Sequence, residues 1–548
     1  MPPPPAPPPP PTPPPTPPPA PNPSSRSAHS PSGSAANEPT RAIALDASPL
    51  TLAQVEAVCR HDARIEIAPE ARRRLDSGRR ALLAAMSDGE PHYGVNTGFG
   101  SFSRQRISDP DLRDLQRNLV RSHAAGVGAP LPRDVVRGMM LLLAASLSRG
   151  LSGVRSQVVE QIVALLNAGI TPVVPGVGSC GASGDLAPLA HVALVLIGEG
   201  EADAKGRIIG GAEALRGAGI APLTLEAKEG LALINGTHLM AAQGVLLVRD
   251  FERLFAAALS AAAMSIDACR ATDAFLDPRV HEARCQPGQQ RVAAAIRSML
   301  EGSQIIPSHA LNDPRVQDPY SLRCVPQVLG AAWDAFEHVR GAVERELGAV
   351  TDNPLVFAGA SADDPAQIVS AGNFHGMPLA IALDLLAICI CHVAGIAERR
   401  VYHMLSAFDP EAKLPPYLSP GPGLHSGLMI AQYTAAACCN ELIGLSTPAS
   451  VANLSTSAGM EDYNSFGPRA AAKARRALQL AGSVIAIELI CGSEALDHHR
   501  PLHSGPAVER AHDLVRAVVP RLAADRPPAP DIAQVEGLIT RGEFEFGF

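Results

Sequence analysis

Residues 178–191 read GSCGASGDLAPLAH, and within them three of the smallest side chains, Ala182, Ser183 and Gly184, stand in a row with Asp185 directly behind. Small side chains leave the backbone itself free to react. If the chain bends so that the Gly184 nitrogen meets the Ala182 carbonyl carbon, a five-membered ring can close, because glycine presents no side chain to obstruct the attack. Loss of water from the ring and from Ser183 then leaves an exocyclic methylidene conjugated to carbonyls, an electrophile made from the chain itself. A helix starting near Asp185 would aim its N-terminus at that ring and stabilise negative charge developing there.

Three other readings compete for this stretch. Gly176-Val177-Gly178-Ser179-Cys180-Gly181 spells the GxGxxG of a dinucleotide-binding turn, with Glu199 and Glu201 at a suitable distance beyond it. Pro172 and Pro175 interrupt the parallel strand which that fold requires, and no alternation of strands and helices follows. A serine-hydrolase elbow needs glycine two residues after the serine, where this chain has Asp185. A glycine-rich helix start capped by Ser183 or Asp185 accounts for the stretch alone and for nothing else in the chain.

The elements around it are helical. Ala- and Leu-rich segments recur at 134–148, 156–168, 229–266, 326–347, 377–400, 427–445 and 470–496, with few alternating β-branched runs between them. This pattern predicts an all-α fold, a bundle of long helices with a smaller N-terminal region of helices and loops. The segment from Met377 is nearly long enough to span a bilayer but contains Asp384 and His392, which favours a bundle helix over a membrane span. Nineteen of the 51 prolines fall in residues 1–40, so 1–41 reads as a disordered proline-rich tail. It lacks the basic start and apolar core of a secretory signal. The body divides into 42–240, carrying the reactive stretch, a bundle at 241–500, and a helical segment at 501–548.

A net charge of −8 and 46 % apolar residues argue against a nucleic-acid surface and for small-metabolite partners. Ten cysteines without CxxC spacing read as reduced thiols of a cytoplasmic protein, with no metal site.

Nine separated blocks carry a resemblance: YGVNTGFG from Tyr93, NLVRSHAAGVGAPL from Asn118, GASGDLAPLAH from Gly181, AKEGLALINGT from Ala227, VQDPYSLRC from Val316, DNPLVF from Asp352, GNFH from Gly372, SGLMIAQ from Ser426 and MEDYNSFGP from Met460. From about residue 42 to the C-terminus the chain resembles the aromatic amino acid ammonia-lyases, and their histidine-specific members in particular. The resemblance implies a methylidene-imidazolone (MIO) formed autocatalytically from Ala182, Ser183 and Gly184, with no external cofactor. It also implies a homotetramer whose active sites draw on several subunits, which is consistent with long helices apolar on all faces.

The resemblance further implies elimination of ammonia from L-histidine to give trans-urocanate. In that reading Tyr93, its phenol lowered in pKa, is the base for the β-proton, a role Glu461 shares. Arg323 holds the substrate carboxylate with its planar fork. Gln317, Tyr320, Asn235 and Asn353 surround the prosthetic ring and the amino group, and Phe374 packs beside it. His123 and Glu461 serve the two imidazole nitrogens, and Met429 lines their pocket. The chain departs from the histidine-specific pattern at Gly459-Met460, at Tyr463-Asn464, and at His238, where glutamine is frequent. A lyase or aminomutase acting on tyrosine or phenylalanine is the alternative, and a catalytically silent scaffold a further one.

Overall fold

The computed structural model describes residues 42–102, 105–359 and 365–544; the proline-rich tail lies outside them. Helix α1 (Leu112–His123), α2 (Leu186–Leu196) and α3 (Glu229–Ile234) surround the reactive stretch. The bundle consists of α4 (His238–Ala268), α5 (Val325–Glu346), α6 (Met377–Ser406), α7 (Met429–Leu445) and α8 (Gly467–Asp497). The sequence explains why these rods run so far. Each interior is Ala- and Leu-rich and free of proline, and α5, α6 and α8 each carry proline in the first turn, where its missing N–H has no helical partner to lose.

Helix α8 lies along α6 and α4, α5 along α6, and α7 against α6 and α8, so the core is a continuous layer of Ala, Leu, Val and Ile. Although α6 and α8 are long and apolar enough to cross a membrane, 61 % and 78 % of their most apolar stretches are buried in the bundle. Asp384 within α6 is satisfied by protein: it accepts the backbone N–H groups of Ala449 and Ser450 and binds the Lys473 ammonium at 3.0 Å.

One expectation is corrected, and one reading already set aside fails a second time. The apolar run at 229–266 is not one helix; it breaks at Asn235–Thr237, where Asn235 is extended and Gly236 takes φ +120°, a conformation closed to side-chain-bearing residues. The dinucleotide-binding reading fails on topology. Pro175–Val177 pairs antiparallel with Val127–Pro130, and Ile170–Pro172 antiparallel with Glu201–Ala204, so no parallel strand feeds the glycines.

One buried charge pair fastens α6 to α8. The Arg400 guanidinium donates to both carboxylate oxygens of Glu488 at 2.5 and 2.9 Å, both side chains are fully buried, and the Ser265 hydroxyl of α4 donates to the same carboxylate at 2.7 Å. Glu488→Gln keeps the shape but leaves Arg400 buried without its counter-charge. An isothermal denaturant titration is expected to show a loss of about 3–5 kcal/mol; an unchanged midpoint would show that water reaches the pair.

Candidate active site

The reactive stretch sits where the break between α3 and α4 meets the start of α2. Gly184 pairs with Gly236 in an isolated bridge: the Asp185 N–H donates to the Gly236 carbonyl at 2.8 Å, and the Gly236 N–H reaches the Ser183 carbonyl at 3.4 Å. Gly184 has φ +75°, and a Cβ there would fall onto the Gly236 carbonyl. On the other side the Phe466 N–H donates to the Cys180 carbonyl at 2.9 Å, and Ser465 holds the Gly181 carbonyl. The turn is therefore gripped through backbone atoms on both flanks, leaving Ser183 to face a cavity.

Asp185 does not cap its own helix. Its Oδ2 accepts the backbone N–H groups of Leu239 (2.9 Å) and Met240 (3.1 Å), so it caps α4, and its Oδ1 accepts the Ser179 hydroxyl at 3.2 Å. Burial lifts its carboxyl to about 7, against the opposing pull of these three hydrogen bonds.

A cavity of about 660 Å³ opens in front of Ser183 and is lined by Tyr93, His123 and Glu461. Helix α1 contributes Leu115, Asn118, Leu119, Ser122 and His123, the i, i+3, i+4, i+7, i+8 positions of one helical face. His123 Nδ1 lies 2.9 Å from the Leu119 carbonyl, an acceptor only, so Nδ1 carries the proton and Nε2 is the lone pair. Burial holds this imidazole below its ordinary pKa, more than Leu119 and the nearby Glu461 carboxylate raise it, so the ring is neutral. Glu461 accepts the Thr456 hydroxyl at 3.2 Å.

Tyr93 reverses the expectation of a lowered phenol. Burial raises its pKa, the Glu461 charge adds to that, and the one opposing contact is the Gly100 N–H, which donates to the phenol oxygen at 3.3 Å. Gln105, Asn118 and Ser457 also line the cavity and went unnoticed in the sequence. Counting back four residues along the helical face from Ser122 finds Asn118.

The remaining candidates stand apart from this cavity. Asn235 is buried just before the Gly236 bridge, its side-chain oxygen without a hydrogen-bond partner among the described residues. Arg323 stacks over the Tyr320 ring at 4.5 Å, donates to the Asp318 carbonyl at 2.8 Å and to the Gln317 amide oxygen, and forms with them a cluster on an exposed segment. Asn353 is buried and accepts the Ala371 N–H at 2.6 Å. Phe374 and Met429 are half-buried, Met429 opening α7.

Comparison with known proteins identifies the family. The family model described as aromatic amino acid lyase matches residues 50–517. A protein named histidine ammonia-lyase from Anaeromyxobacter sp. (strain K) is 48 % identical over 511 residues, spanning 92 % of this chain and 99 % of that one. Among solved structures, histidine ammonia-lyase from Trypanosoma cruzi superposes with a TM-score of 0.84 at 38 % identity, over 92 % of this chain and 94 % of that chain. Tyrosine aminomutase from Streptomyces globisporus superposes with a TM-score of 0.86 at 34 % identity, over 92 % and 97 %. With the family model spanning residues 50–517 and a relative 48 % identical over 92 % of this chain, the chain belongs to the aromatic amino acid lyase family.

Proposed function

We propose that this chain eliminates ammonia from L-histidine to give trans-urocanate, at the cavity that places Ser183, Tyr93, His123 and Glu461 together. That juxtaposition carries the reading. Lyases and aminomutases share the backbone, so the fold does not choose between substrates; the side chains do. The imidazole N–H finds an acceptor in the His123 Nε2 lone pair or the Glu461 carboxylate, partners that phenylalanine would leave unused and desolvated.

The residues of the turn fit the ring that the family forms from them, since Gly184 can carry no side chain and its backbone conformation brings it against Gly236. Once formed, an MIO from Ala182, Ser183 and Gly184 supplies the electrophile that turns the substrate amine into a leaving group. The Gly236 N–H supports the Ser183 carbonyl, the oxygen toward which electrons would move. Tyr93 takes the β-proton, with the Glu461 carboxylate holding the imidazole beside it. The raised phenol then ties activity to alkaline pH, since the base form is scarce at neutrality.

Arg323, Gln317, Tyr320, Asn353, Phe374 and Met429 reach substrate in this reading from neighbouring copies of the chain, within a homotetramer acting in the cytoplasm. Exposed apolar side chains beside these residues support it: Val316, next to Gln317, is 94 % exposed, and Leu424, shortly before Met429, is 86 % exposed. An active monomer in light scattering would overturn the assembly.

The test is ultraviolet product formation from L-histidine, L-tyrosine and L-phenylalanine side by side, with Ser183→Ala as blank. Urocanate from histidine alone is the expected result. Tyr93→Phe should lower kcat at least about a hundredfold and abolish the alkaline rise in kcat/KM. A cinnamate-type product, or a β-amino acid, would keep the chemistry and overturn the substrate.

A further inference from the structure

Against the Gly236 peptide lies a much smaller enclosure, distinct from the cavity that Ser183 faces. It has a volume of about 10 Å³ and is walled by Ser146, Arg149, Thr237, His238, Glu346 and Thr351, with aliphatic neighbours closing it. Its polar groups are poorly matched to one another. Both ring nitrogens of His238 and the hydroxyl of Ser146 are buried without a partner among the described residues. Thr237 uses its hydroxyl on the Glu346 carboxylate, and its N–H donates to the Thr351 hydroxyl at 3.3 Å. The three unpartnered atoms line a space about the size of one water molecule.

The enclosure is mechanically connected to the turn. His238 is the first residue of α4, and its ring lies against Gly236: a Cβ on Gly236 would meet the imidazole Cε1 at 2.6 Å and Nδ1 at 3.0 Å. Gly236 in turn holds Ser183 and Asp185 through its N–H and its carbonyl. Whatever fixes the imidazole therefore fixes the peptide that Gly184 packs against. Burial, reinforced by the Arg149 charge, depresses the imidazole to about 3, so the ring is neutral and offers one donor and one acceptor.

We propose that His238 is a positioning residue for ring formation: with one enclosed water, hydrogen-bonded also by Ser146, it braces Gly236 and thereby holds Ala182, Ser183 and Gly184 in the geometry for cyclisation. The inference rests on the reading that this tripeptide closes. The step it assists is redox-neutral. A bond forms from the Gly184 nitrogen to the Ala182 carbonyl carbon; that carbonyl oxygen leaves as water with the amide protons of Ser183 and Gly184. Ser183 then loses its Cα proton and its hydroxyl as a second water. His238 touches none of these atoms, and acts through Gly236.

Peptide mass spectrometry of the 178–191 region, sampled over time after synthesis of the full chain is stopped, reads ring closure without reference to activity. Wild type should lose two waters. If wild type keeps its unmodified mass, the prosthetic-group reading itself fails. Given a modified wild type, His238→Gln, which keeps a donor and an acceptor, should mature at a similar rate. His238→Leu, with neither, should mature at least about tenfold more slowly while retaining its helical circular dichroism. Maturation of His238→Leu at the wild-type rate overturns the proposal. Should His238→Leu not fold, Ser146→Ala decides: it removes one hydroxyl from the enclosure, is expected to slow ring closure several-fold, and wild-type kinetics for it overturn the brace.

Discussion

Gly184→Ala is expected to yield a folded protein that keeps the full mass of its 178–191 region and turns over histidine at least about a thousandfold more slowly than wild type. Two independent obstacles produce this. At φ +75° an alanine is strained by about 1 kcal/mol or more. Its methyl group would also coincide with the Gly236 carbonyl, whose partner is the Asp185 N–H. Because Gly236 is gripped between that bond and the His238 ring, the turn has to move instead, and the Gly184 nitrogen is carried away from the Ala182 carbonyl carbon. The bundle does not depend on this turn, so far-ultraviolet circular dichroism should be nearly unchanged. Ser183→Ala is the informative companion. It removes the hydroxyl that leaves as water but no backbone contact, so it should lose activity without the strain. If Gly184→Ala lost two waters and turned over normally, the electrophile would have to come from elsewhere in the chain.

The long helices were legible because their signal is local: unbroken apolar periodicity, proline confined to first turns, and buried faces that need no distant information. The break at Asn235–Thr237 was carried by the Asn-Gly dipeptide, a turn signal masked by apolar sequence on both sides. The role of Asp185 could not be read locally, since the N–H groups it accepts lie 54 and 55 residues away in α4. Tyr93 shows a different limit. Its identity as a cavity residue was readable from its block, but the direction of its pKa depends on burial and on Glu461, and only three-dimensional placement supplies those. Arg323 and its neighbours show a third limit: the resemblance of their block suggests a role at the substrate, whereas within one chain they lie outside the cavity that Ser183 faces.

That separation yields the second large effect. Ser183→Ala and Arg323→Ala, each expected to be almost inactive alone, should restore activity when co-expressed. A cavity with intact Ser183 on the Arg323→Ala chain can be completed by intact Arg323 on the Ser183→Ala chain. With random mixing of equal amounts and one cavity chain plus one clamp chain per site, about a quarter of the sites would be whole, and turnover should approach about a quarter of wild type. A site confined to one chain would give none, because every chain in the mixture carries one lesion. Arg323 is suited to acting across an interface: it is already stacked on Tyr320 and tied to the Asp318 carbonyl and Gln317, so its guanidinium is preorganised before a partner or a substrate arrives. The control is Ser183→Ala co-expressed with Glu461→Gln. Both lesions fall in the same cavity, but chains carrying one each leave no cavity intact, so activity should stay at the background of the single variants. Recovery in the first mixture and none in the second would place the carboxylate clamp and the reactive turn on different subunits. Recovery in neither would return Arg323 to the structural role its hydrogen bonds within the chain already describe.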